Sequence, residues 1–320
     1  MKHTDRMNPI EQINEKVFPQ GTPGVFRKVV WGTLILFTFL GFCFGCKVLD
    51  ISVFSFFQTF FIFVLLGIFS AGVLVLFWRL MNNIASKKVY QKMDAHYKST
   101  GITKEFAEYL KAGNIMNDPN GMVLHAYLTV QAECYREAVP VFATIDETAL
   151  DGRQLAMYLT ARIRQLIMTG SQDKAETILM ERSDYLDDIY EEKPLLLPEY
   201  KPYADDALDY YLLSAAFAAI RSNPEKEAAY RKKAMFQISM RDEFDMKIYP
   251  QILELNSLYA SAHLKEAHVM ENDLRGEIDR AMISVGKRTE FSRLVGQARV
   301  FAAHTQLKAQ KIYGERALPQ

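Results

Sequence analysis

Between Val29 and Trp78 the chain carries two charged residues, Lys47 and Asp50, close together near the middle of the stretch. A membrane-crossing helix needs about 20 mostly apolar residues. Val29 to Cys46, extendable to Leu49, meets that length, and Val53 to Trp78 exceeds it. At 1.5 Å per residue the second segment reaches about 39 Å, so it must tilt or run past the hydrocarbon. Only Lys47 to Ser52 is left between them, which makes the pair a hairpin with both ends on one side. Basic residues choose that side. Arg27 and Lys28 precede the first span, and Arg79, Lys87, Lys88 and Lys92 follow the second, where they suit lipid headgroups; the turn has Lys47 alone, opposed by Asp50. Both termini are therefore expected in the cytoplasm. A cleavable leader ending before Cys46 is the competing reading, but it would be unusually long and a second span follows it directly.

The polar residues inside the spans, Thr33, Thr38, Ser55, Gln58, Thr59 and Ser70, are not ionisable, which argues against a proton relay or ion-coupled transport. Gly41 and Gly45 form a GxxxG pair, and Gly67 with Ala71 repeats the spacing, so each helix has a small face for close packing in the membrane. Counted from the turn, Gly45 lies level with Phe56 or Phe57 and Gly67 much deeper, so the two faces are not expected to partner each other. Self-association or a second membrane protein would use both.

The formal net charge of zero hides an asymmetry. Residues 1–100 hold eleven Lys or Arg against five Asp or Glu, a balance of +6, and residues 101–320 carry −6. The basic part suits anionic lipid, and the acidic part makes nucleic acid an unfit partner. Cys134 is the one thiol beyond the spans, so no disulfide framework exists there.

The expected fold class is all-α, with a two-helix transmembrane hairpin and then a helical soluble domain. Its parts are a cytoplasmic segment 1–25, the hairpin 26–80, a basic juxtamembrane helix 81–100 and a helical domain 101–320. Before the membrane, Asn8-Pro9 starts a short helix with Ile10, Ile13 and Val17 on one face. After Trp78 the second span continues as a helix to Gly101, with Met81, Ala85, Val89, Met93 and Tyr97 in a stripe. Further helices are expected over Thr103 to Ala112, Met122 to Glu133 after a turn at Asp118-Pro119-Asn120-Gly121, Ala138 to Glu147, a segment capped by Asp151 and ending at Thr169, and Asp173 to Arg182. Beyond these come Ala204 to Arg221, Asn223-Pro224 to Ser239, Pro250 to Met270, a short one from Asp273 to Gly286, and Thr289 to Tyr313.

Between Asp184 and Asp209 stand nine acidic residues and two lysines, with Pro194, Pro198 and Pro202. Proline removes backbone donors, so an irregular connection is expected. Asp187, Asp188, Tyr190, Tyr200 and Tyr203 are its partner-binding candidates; the competing reading has its leucines and tyrosines cover the helical core.

Tyr135-Arg136-Glu137-Ala138, with Phe142 four residues past the alanine and Ala126 in the preceding helix, resembles the second-helix signature of tetratricopeptide repeats. Gly170 with Ala175 and Leu179, and Ala216 with Ala228, resemble it again. Alanines 138, 175 and 228 lie 37 and 53 residues apart, whereas the family period is about 34, and Pro140 falls inside the first match. The resemblance implies an α-solenoid whose concave surface binds a peptide or protein.

Chemistry finds little purchase. His263, Glu266, His268 and Glu271 share one helix, but the histidines are five apart and diverge, unlike the two of HExxH. Only His263 with Glu266 and His268 with Glu271 share a side, where surface hydrogen bonding is the expected use. Gly286-Lys287 before Thr289 lacks the earlier glycine of a phosphate loop. No catalytic, cofactor or metal residue is assigned. The expected function is a membrane-tethered adaptor that recruits a protein partner at the inner leaflet. The alternative is an accessory subunit of an export or lipid-modifying complex, assembled through its spans, with a homo-oligomer as a further possibility.

Overall fold

The computed structural model describes residues 24–48, 53–112, 116, 118–150, 152–192, 200–201 and 203–306. Among these the protein is all-helical, without a strand. The expected N-terminal helix, the cap at Asp151, the prolines at 194, 198 and 202, and the last helix beyond 306 lie outside the described residues. Contacts divide the chain into two units, one of residues 1–91 with 111–119 and one of 92–110 with 120–320.

In the first unit, α1 (Gly24–Val48) and α2 (Val53–Thr100) form a hairpin, with α2 counting here as far as Gln91. Both are long and apolar enough to cross a membrane. Phe39, Phe54 and Phe69 are 63%, 77% and 71% exposed, a surface that suits lipid better than water. The hydroxyls of Thr33 and Thr38 bond to the carbonyls four residues back, so neither is left unsatisfied in an apolar medium. Each helix receives the other's bulk on its small residues. A Cβ at Gly41 would lie 2.8 Å from that of Phe63, one at Gly45 2.8 Å from the Phe56 ring, and one at Gly67 2.8 Å from Phe37. Ala71 packs with Val30 near Leu34 and Leu74, and Phe26 stacks on Trp78. The small faces do miss each other, as the register requires, but both are filled within the hairpin. Gly41→Leu should therefore splay it: a disulfide between Val30→Cys and Ala71→Cys, in a chain with its native cysteines changed to serine, forms on oxidation with Gly41 and fails with leucine.

The second unit starts with the end of α2, whose Met93 is fully buried. It continues through α3 (Lys104–Glu108), α4 (Pro119–Gln131), α5 (Tyr135–Ala143), α6 (Gly152–Met168), α7 (Gln172–Glu192) and α8 (Asp206–Ile220). Then come α9 (Pro224–Ile238), α10 (Glu243–Ala260), α11 (Leu264–Arg280) and α12 (Val285–Gln297), with 299–306 helical again. Four hairpins, α4/α5, α6/α7, α8/α9 and α10/α11, share one turn. A residue with positive φ closes the first helix: Glu133, Gly170, Ser222 and Ala262. The next N–H bonds back to the carbonyl five residues earlier, at Thr129, Leu166, Ala218 and Leu258, which satisfies carbonyls that a helix end otherwise leaves bare.

Five and nine residues past that turn stand Ala138 and Phe142, Ala175 and Leu179, Ala267 and Glu271, all buried. The third hairpin departs from the pattern: Glu227 and Arg231 stand at these two positions, both half-buried, and α9 packs instead through Ala234 and Ile238. The first helices of the last three hairpins pack on one another, α6 on α8 and α8 on α10, and α10 packs on α12.

Several expected boundaries are corrected. Pro119 is the first residue of α4 rather than part of a turn, because a helix's first N–H has no partner to lose. Pro250 lies inside α10 and Pro140 inside α5. The carbonyls they leave without a donor belong to exposed residues, Met246 and Arg136, where solvent can replace the missing N–H. Asp273 is interior to α11, and Ser284 rather than Thr289 caps α12 through the Lys287 N–H. Helix α7 runs ten residues past Arg182, so the irregular interval is much shorter than expected.

Candidate functional site

The polar feature with the most partners in the second unit lies among α4, α5, α6, α8 and α12. Arg164 of α6 is 5% exposed and bonds the Asp209 carboxylate of α8 at 2.6 Å. Tyr127 and Gln131 of α4 donate to the other oxygen of Asp209. The second arm of Arg164 donates to Gln297 of α12, whose amide donates to the Tyr135 hydroxyl at 2.8 Å. Five helices are thus tied through one guanidinium. Burial alone would lower the Arg164 pKa, but Asp209 and the surrounding phenols hold it above the ordinary value. The Tyr127 phenol is pushed up by burial and then by the charge of Asp209.

A second group adjoins the first. Arg241 pairs with Asp205 and Asp245 and lies over the Tyr249 ring. Tyr249 and Tyr97, from the end of α2, both donate to Glu290, at 3.0 and 2.7 Å. Burial, then Glu290, pushes both phenols up. Tyr203 and Lys201 help close the cavity among these side chains, whose volume of about 20 Å³ suits a single water. Together the two groups form a packed polar core whose charges largely oppose one another.

Tyr190, Tyr200 and Tyr203 are each under 5% exposed, so burial removes them from any contact surface. Tyr190 accepts Arg153 on its ring and shares a hydrogen bond with Thr160. Asp187 takes Lys233 and the Tyr210 hydroxyl, both at 2.9 Å, and Asp188 is exposed. Arg27, Lys28, Arg79, Lys87, Lys88 and Lys92 are all exposed. Glu271 is not at the surface: it is fully buried, held by Arg275, Arg299 and Tyr259. Lys287 bonds Asp242 and Asp245, an arrangement unlike a phosphate loop. Among the described residues no three His, Cys, Asp or Glu side chains gather as metal ligands.

Asp206 makes the stability of this unit depend on pH. Burial raises its pKa from 3.8 to about 6 despite Arg153 at 2.7 Å. The folded state then binds the proton that the unfolded chain has already released, so stability falls as pH rises from about 4 to about 6. The expected loss is about 3 kcal/mol, read from urea titrations of the full chain in detergent, and Asp206→Asn should flatten that slope.

No protein-family model matches the chain, and neither a curated protein nor a solved structure is found to match it.

Proposed function

We propose that this chain is a membrane-tethered adaptor: the α1/α2 hairpin anchors it, and an α-solenoid of tetratricopeptide-like hairpins on the cytoplasmic side recruits a protein partner at the inner leaflet. The repeated turn at Glu133, Gly170, Ser222 and Ala262, with first helices stacked on first helices, supports the solenoid reading. Cytoplasmic placement follows from the basic residues that flank the spans and are scarce in the turn. The polar core is occupied by the chain's own Tyr97 and Tyr203, so the recruiting surface is placed on the second helices.

The observation that carries this reading is the exposed apolar group at the end of α9. Met235, Phe236 and Met240 are 43%, 65% and 54% exposed. Adaptable thioethers around an aromatic ring suit a protein partner's apolar side chains. A photocrosslinking residue at Phe236 should trap one discrete protein in cells, lost in Met240→Glu, whereas the same residue at exposed Lys265 should not. Equal trapping at both positions would contradict the proposal. Assembly through the spans is less favoured, because Gly41, Gly45, Gly67 and Ala71 already pack within the hairpin.

A further inference from the structure

A cleft of about 330 Å³ opens between α7 and α9, with α8 as its floor. The two walls meet at one end, where Lys233 of α9 bonds Asp187 and Glu191 of α7 at 2.9 and 2.8 Å and the Tyr210 and Tyr230 rings meet edge to face. Toward the Ser222 turn they diverge. Small residues on α8 account for the space: Ser214 and Ala218, four apart, put no bulk into it, and Ser183 of α7 adds none from the opposite wall.

Leu179, Met180 and Phe217 make the cleft apolar on one part, whereas Arg221 and Lys226 bring two cations to another, and no carboxylate is among the lining residues. Ser214 is 2% exposed, and its hydroxyl has no hydrogen-bond partner. The oxygen itself is shut off from the cleft in this rotamer, but an unmade hydrogen bond on a buried hydroxyl costs about 1–3 kcal/mol, so a turn about its Cα–Cβ bond toward an acceptor in the cleft is favoured. The volume lies in the range of small-molecule sites, which combine an apolar body with a few placed polar groups.

We propose that this cleft binds a small amphipathic anion, a carboxylate with an aromatic or aliphatic body. The body rests on Leu179, Met180 and Phe217, the carboxylate faces Lys226 and Arg221, and Ser214 donates a hydrogen bond to the bound molecule. Arg221 also holds Glu176 at 2.8 Å, which leaves Lys226, exposed at the rim, as the more available charge. The site is separate from the α9 end at Phe236 and does not rest on the adaptor reading.

The test is a titration of the full chain, in bilayer discs with its methionine methyls carbon-13 labelled, with 4-phenylbutyrate as the probe. The Met180 methyl signal, identified by its loss in Met180→Leu, should move saturably, while those of Met235 and Met246 stay. The neutral 4-phenylbutanamide should bind about tenfold more weakly, and Lys226→Glu should weaken the carboxylate by a similar factor. Because Lys226 is exposed, that variant keeps the fold; Ala218→Phe, which fills the cleft, should abolish the shift. A Met180 signal that does not saturate up to about 20 mM probe, or equal affinity for the acid and the amide, or an unchanged affinity in Lys226→Glu, would overturn the proposal.

Discussion

Arg164→Met should destabilise the helical unit by about 3–5 kcal/mol, the loss expected when one partner of a buried pair is removed and the other stays charged. Methionine roughly fills the volume of the alkyl stem but leaves Asp209 with only Tyr127 and Gln131, and it releases Gln297, which ties α12 to α5. Asp209→Asn in the same chain should restore more than half of the loss. The neutral amide still accepts from Tyr127 and Gln131, and no uncompensated charge remains in the core. Urea titration of the four chains of this cycle gives the coupling directly. If the double variant were as unstable as the sum of the singles, the pair would not act as a unit.

Gly286→Ala should release the end of α2. A Cβ there would overlap the carbonyl oxygen of Tyr97, and the neighbouring atoms at that point are backbone, so a helix has to move. Gly286 is helical, at the second position of α12. Intrinsic propensity alone would therefore make alanine stabilising by about 1 kcal/mol. The contact reverses that sign: the expected result is a loss of about 2–3 kcal/mol, with faster amide exchange over 92–110 as the Tyr97–Glu290 bond breaks. A variant that gained stability would show that α2 does not rest on α12.

The parts of this fold that could be read from the residues are those with local chemical signatures. Apolar length predicts α1 and α2, Asn223-Pro224 predicts the start of α9, and Gly170 predicts one of the four equivalent turns. Helix ends were also read at Glu133 and Arg221, whereas the break at Ala262 escaped, because alanine there adopts a backbone conformation usually reserved for glycine. What the four hairpins share is that turn rather than a fixed period. Helix α7 and the connection after it lengthen the second interval, from Gly170 to Ser222, beyond the intervals on either side. With no local signal at Ala262, one helix was expected over Pro250 to Met270, where α10 ends and α11 begins.

The polar core was hidden for a different reason. Arg164 and Asp209 are 45 residues apart, and nothing local joins them. A signal did exist in α8, where Asp206 and Asp209 interrupt an otherwise apolar run. Carboxylates on a helix buried all round need cations from elsewhere, and Arg153 and Arg164 on the preceding apolar face were available to supply them. The tyrosines at 190, 200 and 203 looked like surface because acidic residues and prolines surround them; contacts distant in sequence bury them.

The account depends most on the hairpin holding the helical unit against a bilayer from the cytoplasmic side. In a chain with Cys43, Cys46 and Cys134 changed to serine and a single cysteine at exposed Lys265, a membrane-impermeant maleimide reports that placement. The account predicts no labelling in intact cells and full labelling once the membrane is permeabilised. Equal labelling before and after permeabilisation would contradict it.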